Sequence, residues 1–333
     1  MKCKPFIDDF LTEAAGLLAN RHKRERLKFP ALPNQFEKIE AAYKAVEALW
    51  RKENSTGIAI FEDNQMIGYL IGNFISTELR SRHIWIDYAG LAISENCNEE
   101  LFRDLYAQIA GKWIDYGCFD HYVLVPAGNS RLVDAWLKLG FSFEQVHALC
   151  DINIQDSEID NLTDIQIRLA EKEDRQSIID MADLIVSHQT EAPTWAVDLP
   201  ENLPKFRKGY GEIIEDKEAK LWLAAKEDHL VGFQGYWEAK ESDSNMMIPE
   251  NCIELSIAGT KKEVRGLGIG KVLTQRGLSD AKRNGYQFCL SDWRMTNIQS
   301  SRFWPSRGFY PIVYRLTRKI DPRIAWANGK SFN

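Results

Sequence analysis

Glycines 266, 268 and 270 stand between Arg265 and Lys271 in the run Val264-Arg265-Gly266-Leu267-Gly268-Ile269-Gly270-Lys271. An apolar, strand-like run (252–260) precedes them, and a helical pattern follows to about residue 284. Glycines let backbone N–H groups turn inward, and at a helix start the orphan donors and the positive dipole end collect anions. Such a cradle suits a pyrophosphate. The dinucleotide fingerprint G-x-G-x-x-G fails, because Lys271 occupies its third glycine and residues 261–265 separate the strand from the loop. The Walker pattern fails twice, with Arg265 at its first glycine and Val272 at its Ser/Thr. What remains is R-x-x-G-x-G on a strand–loop–helix.

A second strand-like run (287–292) follows, then Asn297 and, further on, Gly308-Phe309. Together with the loop, this tail resembles the acyl-CoA-binding signature of the GNAT acetyltransferase superfamily. The resemblance implies that the strand before the loop splays from its neighbour and that the acyl donor, acetyl-CoA, lies in the opening. Backbone groups of Ala258, Gly259 and Thr260 would pair with the pantetheine arm like an added strand. The N–H groups of Arg265, Gly266, Leu267, Gly268, Ile269, Gly270 and Lys271 would hold the pyrophosphate, with Arg265 and Lys271 supplying charge. Cations at a helix start oppose the dipole and are mildly unfavourable without an anion. Asn297 would contact the pantetheine or cap the helix after the strand.

Acetyl transfer to an amine needs a base to neutralise the amine and a donor for the thioester oxyanion. Glu254 is the acid on the 252–260 strand, and strict alternation places it on one face with Ser256 and Ala258. By resemblance it is the catalytic base, with a backbone N–H near Gly259 or Thr260 as oxyanion donor. Asp292 and Arg294, at the end of the next strand, are candidate substrate-binding residues. The chain departs from the family at Trp304, where the usual residue is a tyrosine able to protonate the leaving thiolate. An indole N–H has no useful acidity near neutral pH. Tyr310 and Tyr314 lie close by as candidate substitutes, but each reads first as a packed strand aromatic.

Periodicity supplies the elements that hold these residues. In the first half, helices are expected over 6–26, 35–52 and 99–116, strands over 57–61, 66–75, 84–93 and 121–125, and a short helix over 130–139. Residues 151–164 are acidic and poor in bulky apolar side chains, which marks a boundary between domains at 1–155 and 165–333. In the second half a strand (165–169), a helix (171–187), a Pro-rich loop (190–204), a helix (205–216) and a hairpin (220–226 with 229–239) lead through a polar insertion (240–251) to the glycine loop.

The halves repeat each other. Adding 168 to Gly117, Asn129, Trp136, Gly140 and Phe141 gives Gly285, Asn297, Trp304, Gly308 and Phe309, each the same residue type. The chain therefore resembles the tandem GNAT proteins, among them the mycothiol synthase-like group: an α/β protein of two GNAT-like domains, each a mixed, mostly antiparallel sheet with flanking helices. The first copy has Ser94-Glu95-Asn96-Cys97-Asn98-Glu99-Glu100 where the second has glycines, so it reads as a degenerate domain without a CoA loop.

At 333 residues, 44% hydrophobic and 27% charged, the chain has the composition of a soluble globular protein of two domains. It has no membrane-length apolar run and no secretory core. Six scattered cysteines and six histidines show no ligand spacing, so a reduced, cytoplasmic protein without a metal site is expected. A net charge of −6 argues against nucleic acid as a partner. The oligomeric state cannot be read. The expected activity is acetyl-CoA-dependent N-acetylation of a small-molecule or peptide amine at one C-terminal site. The competing readings are a non-catalytic acyl-CoA-binding or scaffolding protein, and an acyltransferase with another donor.

Overall fold

The computed structural model describes residues 1–77, 80–154 and 162–327, so much of the acidic stretch expected to mark the domain boundary lies outside the described residues. In chain order the first elements are β1 (Lys2–Pro5), α1 (Leu11–Lys28), α2 (Ile39–Trp50), β2 (Ser55–Glu62), β3 (Gln65–Ile75), β4 (His83–Ile86), β5 (Leu91–Ile93), α3 (Leu101–Asp115), β6 (Asp120–Pro126), α4 (Ser130–Lys138) and β7 (Ser142–Asp151). They are followed by β8 (Gln166–Leu169), α5 (Arg175–Asp180), α6 (Asp183–Thr190), α7 (Leu203–Ile213), β9 (Lys220–Lys226), β10 (His229–Glu238), β11 (Cys252–Thr260), α8 (Ile269–Arg283), β12 (Phe288–Arg294), α9 (Ile298–Phe303) and β13 (Tyr310–Lys319).

Two compact units result, neither contiguous in sequence. One comprises Met1–Val146, Glu241–Pro249 and Ile312–Asn333; the other comprises His147–Lys240 and Glu250–Pro311. In the first unit the strand order is β1-β2-β3-β4-β6-β13, with β5 pairing β3. Its β4 and β6 run parallel, and β13 closes antiparallel on β6, Val313 opposite Pro126 and Lys319 opposite Asp120. In the second unit the order is β12-β11-β10-β9-β8, with β11 and β12 the parallel pair. Each sheet is thus mixed and mostly antiparallel, as expected.

Two predicted elements are broken. The 84–93 strand divides because Asp87 accepts a hydrogen bond from the Tyr88 N–H (2.8 Å) and opens a one-turn 3-10 helix over Tyr88–Gly90. The 171–187 helix splits into a 3-10 turn, α5 and α6. The two hairpins turn at Asp63-Asn64 and Glu227-Asp228, which all have positive φ, the geometry that matches the twist of two-residue hairpins.

The internal repeat is carried by roles as well as by letters. Gly117 and Gly285 end α3 and α8 at φ 75° and 90°, and Gly140 and Gly308 turn at 82° and 84°. Asn129 and Asn297 cap α4 and α9, each accepting from the N–H three residues on at 3.1 Å. Trp136 meets Phe141 edge-on at 4.9 Å, and Trp304 meets Phe309 edge-on at 5.4 Å. Selection for the same turn, cap and aromatic pair is a physical reason for the residues to match in register.

Two buried histidines of the first unit set an acid limit. His22 donates through Nε2 to the Pro33 carbonyl (2.7 Å), and His121 sits between the Tyr106 hydroxyl (2.7 Å) and the Cys118 carbonyl (3.1 Å). Burial pulls both from 6.5 down to about 4. Because the folded pKa is depressed, stability is fully present above the unfolded pKa and is lost as pH falls from about 6.5 towards 4. Each histidine contributes on the order of 3 kcal/mol to that loss. Thermal melts between pH 7 and pH 4.5 are expected to show a falling midpoint, with the slope reduced in His22→Gln. A midpoint flat over that range would contradict it.

Candidate active site

The site is built where β11 leaves β12. The two strands pair from Cys252↔Phe288 only as far as Leu255↔Ser291. Both continue, β11 to Thr260 and β12 to Arg294, so among the described residues Ser256–Thr260 have no register partner on that side. On its other side β11 stays paired with β10, and the N–H of Lys261 still donates to Val231 (2.8 Å). Antiparallel alternation then turns the backbone of Gly259 towards β10 and that of Ala258 and Thr260 into the opening.

A bulge resets the side chains of β11. Gly235 faces Ile257 but Tyr236 faces Leu255, so Ser256 is the extra residue. Glu254 consequently shares a face with Ile257 and Gly259 rather than with Ser256 and Ala258, which corrects the simple alternation. A Cβ built on Gly235 would lie 2.7 Å from Ile257 and 2.8 Å from Trp237, which fits that shared face. On the same face, a Cβ on Gly259 would fall 2.5 Å from the Leu184 side chain of α6, so only glycine lets that helix sit so close. The opposite face packs on α8 through Tyr236, whose hydroxyl donates to Gln234 (2.7 Å), which in turn donates to Thr274 (2.9 Å). A Cβ on Gly277 would lie 2.4 Å from the Tyr236 ring.

The glycine loop opens α8 at one end of the splay. Gly266 and Gly268 both have φ of 84°, a region side chains avoid, and Gly268 is the N-cap residue. The first intrahelical bond runs from Val272 to Gly268 (3.1 Å), so the N–H groups of Ile269 and Gly270 precede the ladder. Nothing lies within 4 Å of a Cβ built on Gly266, and Leu267 is exposed. Arg265 folds back to donate from Nε to the Thr260 carbonyl (3.2 Å). Lys271 lies in the first turn and is half-buried. Turned-out amides at a helix start, open space and two cations are a set that fits a pyrophosphate.

At the other end, Glu254 is half-buried, and its carboxyl is held above the usual range first by burial and then by repulsion from Asp292. A carboxylate so tuned takes a proton more readily at neutral pH. Asn297 is buried as the α9 cap, which assigns it at least the capping role. Two residues of α6 that sequence reasoning missed meet these elements. His188 Nε2 lies 3.4 Å from Asn297 Oδ1, and Gln189 Oε1 accepts from Arg294 Nε at 3.2 Å. No motif marks them; only the path of α6 across β11 brings them there.

Residues 184–309 match the family model described as Acetyltransferase (GNAT) family. This stretch is a GNAT acetyltransferase domain. The chain thus carries an acyltransferase domain of the GNAT type, a family that uses acyl-CoA donors. Among solved structures, the chain is similar to a GCN5-related N-acetyltransferase from Sphaerobacter thermophilus, at 12% identity over 96% of both chains with a TM-score of 0.60. It is also similar to a tandem GNAT protein from the clavulanic acid biosynthesis pathway, at 11% identity over 96% of this chain and 98% of that one, TM-score 0.53. At such identities the likeness speaks to the fold: two GNAT-like domains in one chain. No curated protein matches the sequence significantly.

Within the GNAT domain Trp304 is a core residue, 6% exposed and packed between Phe303 (4.8 Å) and Phe309. Trp136 holds the corresponding place in the first unit and is fully buried. The tryptophan at the usual tyrosine position is therefore a packing element. Burial pushes the Tyr310 hydroxyl up to about 12 and raises that of Tyr314, which packs edge-on against Phe143 at 5.0 Å.

Proposed function

We propose that the GNAT domain transfers an acetyl group from acetyl-CoA to the amine of a small molecule or peptide, at a single site in the C-terminal half (165–333). The observation that carries this reading is the end of β11–β12 pairing at Leu255↔Ser291, with the glycine loop beyond one end of the gap and Glu254 at the other. Ala258 and Thr260 would receive the pantetheine arm, and the amides from Arg265 to Lys271 the pyrophosphate. Glu254 would take the ammonium proton, directly or through water, and Asp292 and Arg294 would face the acceptor. The leaving thiolate needs no acid from Trp304, because a CoA thiol is itself an adequate leaving group.

The first half (1–155) would carry no CoA site. Its α3 starts after a loop without glycine, and Glu99 there already accepts a hydrogen bond from the Asn129 amide (3.0 Å). Incubation with acetyl-CoA and a panel of primary amines is expected to release free CoA, and calorimetric titration to give one acetyl-CoA per chain. Tight binding without turnover on any amine would favour a non-catalytic acyl-CoA-binding protein instead. Two sites of similar affinity would show that the glycine loop is not what holds CoA.

A further inference from the structure

Three polar side chains are buried between β10 and α8, where apolar ones would pack as well. Gln234 is 2% exposed, Tyr236 1% and Thr274 2%. A leucine at 234 would fill much the same space without the cost of burying an amide. The Tyr236 ring fits only because residue 277 of α8 is glycine, and burial raises its hydroxyl well above the usual range, so it stays a proton donor.

The hydrogen bonds among them run one way. The Tyr236 hydroxyl donates to Gln234 Oε1 (2.7 Å), and Gln234 Nε2 donates to Thr274 Oγ1 (2.9 Å). Thr274 Oγ1 donates to the Gly270 carbonyl (2.8 Å), and Gln234 Nε2 reaches the same oxygen at 3.4 Å. Turning the Gln234 amide over would set its oxygen against that carbonyl, which fixes the orientation. Every proton in the chain thus points towards Gly270, in the first turn of α8.

The Gly270 carbonyl and the Lys271 N–H are the two ends of one planar peptide unit. Hydrogen bonds at the oxygen hold the plane of that unit and draw charge through it, which makes its N–H a stronger donor. Chained hydrogen bonds reinforce each other by about 10–30% per bond. We propose that Tyr236, Gln234 and Thr274 are positioning residues for the acyl donor, which orient and polarise the Gly270–Lys271 peptide so that its N–H is set for the pyrophosphate before CoA arrives. The relay rests on the reading of the glycine loop as the pyrophosphate cradle. It acts through the backbone, from the side of α8 that faces the sheet, and lowers the cost of binding by preorganisation.

Calorimetric titration of the full chain with acetyl-CoA tests the relay, with S-acetylpantetheine, which lacks the pyrophosphate, measured by competition. Gln234→Leu and Thr274→Val keep the shape and remove donors of the relay. Each is expected to raise the Kd of acetyl-CoA by about tenfold and to leave that of S-acetylpantetheine within about twofold. Thr274→Ser keeps the hydroxyl and should stay within about twofold of wild type for both. If Gln234→Leu fails to fold, the two Thr274 variants carry the test. Wild-type acetyl-CoA affinity in Gln234→Leu or Thr274→Val would overturn the relay and leave the donor site standing. Equal losses for the two ligands would overturn it as well, because they would mean a domain loosened as a whole. Absence of acetyl-CoA binding by the wild-type protein would instead remove the donor site, and the relay with it.

Discussion

A Gly268→Asp protein is expected to fold and to give no measurable acetyl-CoA binding. Gly268 sits at φ 84°, and Asp is among the few side chains that tolerate the left-handed region, so the backbone strain is limited to about 1–2 kcal/mol. A Cβ there meets only Leu162, at 3.6 Å, an ordinary contact. The fold therefore has little reason to fail. What changes is the charge: a carboxylate stands at the helix N-cap, where it complements the dipole itself and repels a pyrophosphate. A like charge set against a lost hydrogen bond costs on the order of 3 kcal/mol or more, which is at least a hundredfold in affinity. Calorimetry on the variant, with circular dichroism to confirm folding, makes the comparison. A folded variant with wild-type affinity would remove the pyrophosphate from this loop and with it the proposed donor site.

Glu254→Gln is expected to lower kcat by roughly 10²–10⁴ with little change in acetyl-CoA affinity. The carboxylate is lost while its shape is kept, and the glycine loop is untouched. The pH dependence distinguishes this role from a structural one. Burial and Asp292 hold Glu254 above the usual carboxylate range, so wild-type kcat/KM should rise with pH as Glu254 deprotonates. The variant should lack that limb, and its deficit should shrink at high pH, where more of the amine is already neutral. Asp292→Asn should move the same limb to lower pH, because it removes the repulsion that helps raise Glu254. A Glu254→Gln enzyme with full kcat at neutral pH would return the residue to the wall of the site.

The sequence by itself determined the parts of this protein whose requirements are local. Glycines at 266 and 268 are needed where φ is positive, asparagines at 129 and 297 where a helix must be capped, and Gly140-Phe141 and Gly308-Phe309 where a turn brings an aromatic ring onto a tryptophan. Each is a condition on a few neighbouring residues, so spacing reveals it, and the 168-residue repeat is the sum of those conditions met twice. Tertiary structure alone decided the rest. The face on which Glu254 lies depends on a bulge at Ser256, which is a property of the β10–β11 register and leaves no mark in either strand's alternation. That β13 pairs with β6, nearly two hundred residues earlier, is a choice among sheet edges that no local pattern encodes. His188 and Gln189 reach Asn297 and Arg294 because glycine at 259 lets α6 lie close on β11. Burial on α1 shows the same limit from the other side. Arg21 and Glu25 stand one turn apart, as charges on a solvated helix face would, yet they are only 4% and 5% exposed.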